Sequence, residues 1–140
     1  MAVTKVYIDC NILIDWLLNR EPFSYFATKI IELTEKKEIE SYVSLLTLAN
    51  TYYIISKTVN RKVADEFLRD SLKLFQFAYV TREIVEDAIE ERFRDFEDDI
   101  HYHIAVENEL DYLITRNVKD FKKSKITVVG PEDFLQYRDG

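Results

Sequence analysis

The sequence is poor in cysteine, glycine and proline. Its single cysteine, Cys10, cannot form an intramolecular disulfide, and no paired Cys or His residues suggest a zinc site. This composition is typical of a protein kept in a reducing compartment, so we expect it in the cytoplasm. Two Gly and two Pro among 140 residues leave few breaks, and neither a repeat nor a low-complexity segment is visible. We therefore predict one domain, residues 1–140, with short connections.

Long apolar runs and an excess of positive charge are also missing. No run approaches the about 18 residues of a membrane span, and the N-terminus lacks the apolar segment of a signal peptide, so no membrane partner is expected. The formal net charge of −7 argues against binding nucleic acid by broad phosphate neutralisation, which requires clustered Lys and Arg. Nucleic acid remains possible as a substrate, because acids that hold a cation attract phosphate once the cation is bound.

Short apolar segments alternate with segments of helical periodicity along the chain. Strands are predicted at residues 6–8, 41–44, 75–79, 112–114 and 126–129. Helical patterns lie between them, at residues 12–17, 23–34, 45–55, 61–72, 84–89, 98–110 and 131–137. This order predicts an α/β fold, a three-layer α/β/α sandwich with a mainly parallel central sheet. In such sheets ligands bind beyond the carboxyl ends of the strands.

An acid stands at the end of the first predicted strand. Asp9 follows Val6, Tyr7 and Ile8, and two later acidic turns, at residues 95–99 and 115–121, can converge on it. Carboxylates far apart in sequence, but each at a strand or helix end, are what a divalent-cation site for phosphodiester cleavage requires. The pattern therefore predicts a metal-dependent nuclease. The alternative for Asp9 is a helix cap, and for Asp98 an acid that complements a helix dipole.

Four motifs together point to a known family. They are Asp9 with Asn11, the run Ser44-Leu45-Leu46-Thr47, Asp98 at the opening of a later helix, and Thr115-Arg116-Asn117 with Asp120-Phe121. In order and spacing they resemble a PIN domain, similar in size to bacterial VapC-type toxins, over almost the whole chain. The resemblance implies a Mg²⁺- or Mn²⁺-dependent endoribonuclease that acts on single-stranded RNA, often the toxin of a toxin and antitoxin pair. It also implies a cognate antitoxin protein as a partner and a homodimer.

The resemblance also implies a set of site residues. Asp9, Asp98 and Asp120 would be the catalytic acids and metal ligands, with Asn117 as a further ligand. Residues that surround them or contact substrate would be Asn11, Ser44, Thr47, Asn50, Thr115 and Arg116.

Two positions depart from the family pattern. Asn50 stands where the family usually carries Glu, and Asn117 where it often carries Asp. A neutral amide can coordinate through its oxygen, but it lends no charge and cannot act as a general base. Three carboxylates suffice for one Mg²⁺, which keeps several waters, whereas a two-metal arrangement is less favoured.

Several roles stay open at this point. Arg116 could bind a substrate phosphate or pair with one of the acids at residues 95–99. Ser44 and Thr47 could hold the scissile phosphate, although capping of helix amides is the more common role. His101 lies on the helix face of Asp98, whereas His103, two residues further on, does not, so the two cannot chelate one ion together. Lys122, Lys123 and Lys125 could steer a nucleic-acid backbone or form an ordinary solvated surface.

Two other functions remain as alternatives. One is a catalytically weak or inactive PIN-like module that binds RNA or protein, which the neutral Asn50 suggests. The other is an α/β phosphoacceptor with Asp9 as nucleophile. The second is disfavoured because Asn11 stands where such phosphatases carry a second Asp, and no clear Lys directly follows a late strand.

Overall fold

A computed structural model describes residues 2–93, 95–121 and 124–139, without the side chains of Asp120 and Asp139. Its centre is a five-stranded sheet in the order β3-β2-β1-β4-β5. All pairings between these strands are parallel. The strands are β1 (Thr4–Ile8), β2 (Ile39–Val43), β3 (Gln76–Phe77), β4 (Tyr112–Ile114) and β5 (Thr127–Val129).

Seven helices and one 3₁₀ turn, Val118–Asp120, connect the strands within the described residues. The helices are α1 (Cys10–Leu17), α2 (Ser24–Glu35), α3 (Leu45–Thr58), α4 (Arg61–Leu74), α5 (Arg82–Glu90), α6 (Phe96–Glu107) and α7 (Pro131–Asp139). None of the helices in this part of the chain has the length and hydropathy required to cross a membrane.

Apolar side chains cover both faces of the sheet. Successive residues of a strand point to opposite faces, and Val6 and Ile8 accordingly join a core cluster that includes residues of α1, α2, α4 and α7. Tyr7 points the other way, into a second cluster with residues of α5 and α6. A parallel sheet buried on both faces between helices is the architecture expected for this strand and helix order. The predicted α/β/α fold class is confirmed.

Several boundaries differ from the predictions, and three of these differences bear on the sheet edge or on predicted site residues. The strand predicted at residues 75–79 shortens to Gln76–Phe77, because its partner β2 ends at Val43, and Tyr79 is 78% exposed. Ser44 is not the end of β2 but the cap of α3, where its side chain accepts from the amide of Thr47. Helix α6 begins at Phe96, so Asp98 lies within its first turn and does not open it.

Candidate active site

The carboxyl ends of the neighbouring strands β1 and β4 bring Asp9 and Thr115 together. Ile8 pairs with Ile114, so the residues that follow these two also lie side by side. The hydroxyl of Thr115 donates to Oδ2 of Asp9 at 2.8 Å, and the amide of Cys10 donates to Oδ1 at 2.7 Å. One hydrogen bond on each oxygen leaves further lone pairs. Asp9 therefore caps α1, as one alternative predicted, and still has acceptor capacity for a cation.

Asp98 lies in the first turn of α6, close to Asp9. Its amide donates to the side chain of Asp95 at 2.9 Å, which makes Asp95 the cap of this helix. The pKa of Asp98 is raised to about 7, mainly by burial and then by the negative charges of Asp95 and Asp9. A carboxyl group whose ionisation is disfavoured by neighbouring negative charges lies where a bound cation is stabilising. The donor set, carboxylate oxygens, is the one that Mg²⁺ and Mn²⁺ prefer, so these residues fit a divalent cation.

Cys10 shows that a third carboxylate shares this region. The pKa of the Cys10 thiol is raised mainly by burial and then by the charges of Asp9, Glu97 and Asp98. Three acids from two elements therefore surround the first turn of α1. Glu97 was not among the residues predicted from the sequence. Its position four residues before His101, which places both side chains on one helix face, is the pattern that could have identified it.

Asn50 is in direct contact with Glu97. Its side-chain amide donates to Oε1 of Glu97 at 2.6 Å. Nε2 of His101 lies 3.6 Å from the same oxygen, slightly beyond hydrogen-bond length. The pKa of Glu97 is lowered first by the ring of His101 and also by the Asn50 amide, while burial acts in the opposite direction. Asn50, which carries no charge, thus holds the charged side chain of Glu97 in place.

A buried hydrogen-bond network lies behind this contact. The hydroxyl of Tyr7 is 2.6 Å from Nδ1 of His101, 2.8 Å from Oγ of Ser44 and 2.9 Å from Oγ1 of Thr47. Ser44 and Thr47 are both 0% exposed. The structure therefore places these two hydroxyls around Tyr7, inside the molecule. His103 points elsewhere, with Nε2 3.2 Å from the carbonyl of Glu91.

The remaining predicted residues lie at the same edge or outside the described part. Asn11 is half-buried in the first turn of α1. The amide of Asn117 donates to the Thr115 hydroxyl at 3.2 Å, just before the 3₁₀ turn. The side chain of Asp120, and Lys122 and Lys123 entirely, lie outside the described residues, so their roles stay predictions. Lys125 is exposed, with Nζ 3.8 Å from Oε2 of Glu91.

Arg116 pairs with a buried acid. Its Nε lies 3.0 Å from Oδ2 of Asp15, and its guanidinium carbon lies 4.0 Å from the centre of the Phe23 ring. Neither oxygen of Asp15 has a properly aligned hydrogen bond among the described residues, so the contact is an ion pair by distance only. Burial raises the pKa of Asp15, whereas Arg116 and Arg20 oppose that shift. Arg116 therefore pairs with an acid, but that acid is Asp15 of α1 and not one of those predicted at residues 95–99.

Arg116→Ala is expected to lower the free energy of unfolding by about 1–2 kcal/mol, because it leaves the carboxylate of Asp15 buried with only Arg20 near it. In an Asp15→Asn background the same substitution should cost less, since no buried charge remains to be compensated. Urea unfolding of the four proteins measures the difference. Equal costs in both backgrounds would mean that the contact with Phe23, and not the ion pair, accounts for the effect.

Another acidic group lies elsewhere on the molecule. The carboxylate oxygens of Glu83, Asp87 and Glu107 all lie within 4.8 Å of one another, on α5 and α6. Among the described residues, the acids around Asp9 do not meet that criterion. Direct ligands of one Mg²⁺ lie about 2.1 Å from the ion and therefore within about 4.2 Å of one another, so the side chains of these acids would have to move together when a cation binds.

Comparison with known proteins gives one family and a set of similar structures. The family model described as PIN domain matches residues 5–119. A toxin-antitoxin complex from Klebsiella pneumoniae has 26% identity and a TM-score of 0.68, covering 90% of this chain and 97% of that one. DNA-bound VapBC from Salmonella typhimurium has 13% identity and a TM-score of 0.69, covering 92% and 99%. The sarcin-ricin loop cleaving toxin VapC20 from Mycobacterium tuberculosis has 16% identity and a TM-score of 0.63, covering 77% and 86%. Curated protein sequences give no significant match.

Proposed function

This chain belongs to the PIN domain family, and we propose that it is a metal-dependent endoribonuclease that hydrolyses phosphodiester bonds of single-stranded RNA. The observation that carries the proposal is the convergence of Asp9, at the carboxyl end of β1, with Asp98, in the first turn of α6, where the charge of Asp9 contributes to raising the pKa of Asp98. A bound cation would relieve this repulsion. The toxin that cleaves the sarcin-ricin loop, which shares this fold, supports RNA as the substrate class.

The residues of this chain have distinct tasks in the proposed reaction. Asp9, held by Thr115 and by the amide of Cys10, and Asp98, held by the start of α6, would bind Mg²⁺ or Mn²⁺. When bound, the cation would supply electrostatic stabilisation of the phosphate and an activated water. Asp120 and Asn117 are proposed as further ligands on the turn after β4. Asn11, half-buried one helical step beyond Cys10, is proposed to orient a ligand or a water.

The partner in the cell is proposed to be a cognate antitoxin, because two of the similar structures are toxin and antitoxin assemblies. We also propose a homodimer that uses aromatic side chains on the helical side, among which Phe23 and Tyr53 are exposed. Location in the cytoplasm remains the prediction from the single Cys10.

Cleavage of a mixed single-stranded RNA should require a divalent cation. Purified protein is expected to cut with Mn²⁺ or Mg²⁺, to lose all activity after exhaustive chelation, and to recover it when Mn²⁺ is added back. The same RNA annealed to its complement is the matched control, and it should be cut much more slowly because its bases are paired and stacked. Activity that survives chelation would contradict the proposal. Absence of cleavage under every condition would favour the alternative of an inactive PIN-fold binding module.

A further inference from the structure

Glu97 differs from the other exposed acids because its carboxylate is held by two side chains. The amide of Asn50, from α3, donates to Oε1 at 2.6 Å. His101, one turn later on α6, brings Nε2 to 3.6 Å from the same oxygen. Both contacts use Oε1, and neither uses Oε2. An exposed glutamate ordinarily samples many rotamers, whereas this one is restrained between two helices.

The second contact depends on a buried histidine that points toward Glu97. The side chain of His101 is 2% exposed, and that of Glu97 is 48% exposed. Nε2 of His101 has no hydrogen-bond partner among the residues that the structure describes. A polar atom so deeply buried normally has a partner. Nε2 faces the carboxylate of Glu97 at 3.6 Å, and that carboxylate itself reaches solvent.

The network behind His101 is consistent with a proton on Nε2 of its ring. The Tyr7 hydroxyl can accept from Ser44 and Thr47 and donate its own proton to Nδ1 of His101, 2.6 Å away. This arrangement satisfies all of these groups together. It places the proton of His101 on Nε2, the atom that faces Glu97. The Nε2–H group then attracts the carboxylate electrostatically and favours one position of it.

We propose that Glu97 is a metal ligand of this site, and that Asn50 and His101 are the positioning residues that aim its carboxylate. The inference rests on the proposed nuclease function. Glu97 stands beside Asp98 in the first turn of α6, and it is held by Asn50, which occupies the position where the family usually carries an acid. With Glu97, three described carboxylates lie at this edge of the sheet. Asn50 is neutral, and it contributes to the site by holding the carboxylate of Glu97.

Mn²⁺ binding to the full chain, measured by titration calorimetry, tests this inference directly. Glu97→Gln removes the charge, and Glu97→Asp keeps the charge but shortens the side chain by one methylene. Both are expected to weaken Mn²⁺ binding by about tenfold or more. Glu66→Gln, which removes the same charge from an exposed position on α4, is the matched control and should change the affinity by less than about twofold. Thermal unfolding without metal should be nearly equal for all four proteins.

The role of Asn50 requires a double-mutant cycle. Asn50→Ala is expected to weaken Mn²⁺ binding in the wild-type background by about threefold to tenfold, and to have no further effect when Glu97 is already Gln. A positioning residue behaves in this way because its influence passes through the side chain that it holds. Equal effects in both backgrounds would show that Asn50 acts independently of Glu97, which would overturn its assigned role.

The possible outcomes separate this inference from the proposed function. If wild type binds Mn²⁺ and cuts RNA while both Glu97 variants bind as well as Glu66→Gln, Glu97 is not a ligand and only the inference fails. If Glu97→Asp retains full affinity and Glu97→Gln does not, Glu97 acts through its charge alone, and the assignment as a ligand is again wrong. If wild type neither binds Mn²⁺ nor cuts RNA, the nuclease proposal itself fails and the inference falls with it.

Discussion

Asp9→Asn is expected to reduce cleavage of single-stranded RNA by about 1000-fold or more. A metal ligand at this position contributes several kcal/mol of transition-state stabilisation, and each 1.36 kcal/mol corresponds to about a factor of ten in rate. Asp9 is buried at the end of the central strand, where Thr115 and the amide of Cys10 fix both of its oxygens. No neighbouring acid can move into its place without breaking these bonds.

The same substitution should leave the fold intact. The amide oxygen of Asn can still accept from the amide of Cys10. Its NH₂ group can donate to the Thr115 hydroxyl, which has a second lone pair besides the one used by the amide of Asn117. We therefore expect a far-ultraviolet circular dichroism spectrum like that of wild type and a cooperative thermal transition. The loss of activity would then be chemical and not structural.

Asp111→Asn is the matched control for this experiment. Asp111 directly precedes β4, at the opposite end of the same pair of strands, where its Oδ2 accepts from the amide of Lys5 at 2.8 Å. The substitution Asp111→Asn removes one negative charge, as Asp9→Asn does, and should leave the rate of cleavage within about twofold of wild type. Should Asp9→Asn retain a tenth or more of the wild-type rate while remaining folded, Asp9 would not be a metal ligand and the site would have to be sought elsewhere.

The position of Asp9 could be predicted because it depends only on where strands end. Asp9 and Thr115 are 106 residues apart in sequence, yet each directly follows a buried parallel strand. Parallel neighbours present their carboxyl ends at one edge of a sheet. The apolar run of three residues and the acid after it are therefore enough to predict that Asp9 lies at this edge of the sheet. The same argument placed Asn117 near this edge.

The choice among the acids of the run at residues 95–99 could not be made in this way. Each step along a helix rotates the side chain by about 100°, so the facing residue depends on the residue at which the helix begins. The sequence favoured a start near Asp98, whereas Asp95 caps α6 and the helix begins at Phe96. With that start Asp98 remains close to Asp9, but Glu97 turns toward Asn50 and Asp99 is fully buried.

The contacts of Tyr7 were beyond prediction for a different reason. Tyr7 reads as one apolar residue of a buried strand, and its hydroxyl partners Ser44, Thr47 and His101 lie 37, 40 and 94 residues away. Periodicity assigns a side chain to a face of the sheet but does not specify which polar groups of other elements arrive there. Only the packing of α3 and α6 over that face brings three polar side chains to one hydroxyl.

Tyr7→Phe is expected to destabilise the protein by about 2–3 kcal/mol, because it removes only an oxygen but leaves buried polar groups without their partner. Nδ1 of His101 loses the Tyr7 hydroxyl, and the hydroxyls of Ser44 and Thr47 keep each other, at 3.3 Å, while Oγ of Ser44 also keeps the amide of Thr47. The ring of Tyr7, 0% exposed, still fills its place in the core, so no cavity is created. Urea unfolding should show a lower midpoint with an unchanged dependence on urea concentration.

Tyr42→Phe is the matched control for Tyr7→Phe. Tyr42 pairs with Tyr7 in the sheet register, but its hydroxyl makes only a 3.5 Å contact with Glu40. Loss of that hydroxyl should cost less than about 0.5 kcal/mol. Equal costs for the two variants would contradict the network, since they would show that the Tyr7 hydroxyl contributes no more than a partly exposed one. A large cost at Tyr7 alone, accompanied by weaker Mn²⁺ binding, would connect the buried hydroxyl through His101 to the carboxylate of Glu97.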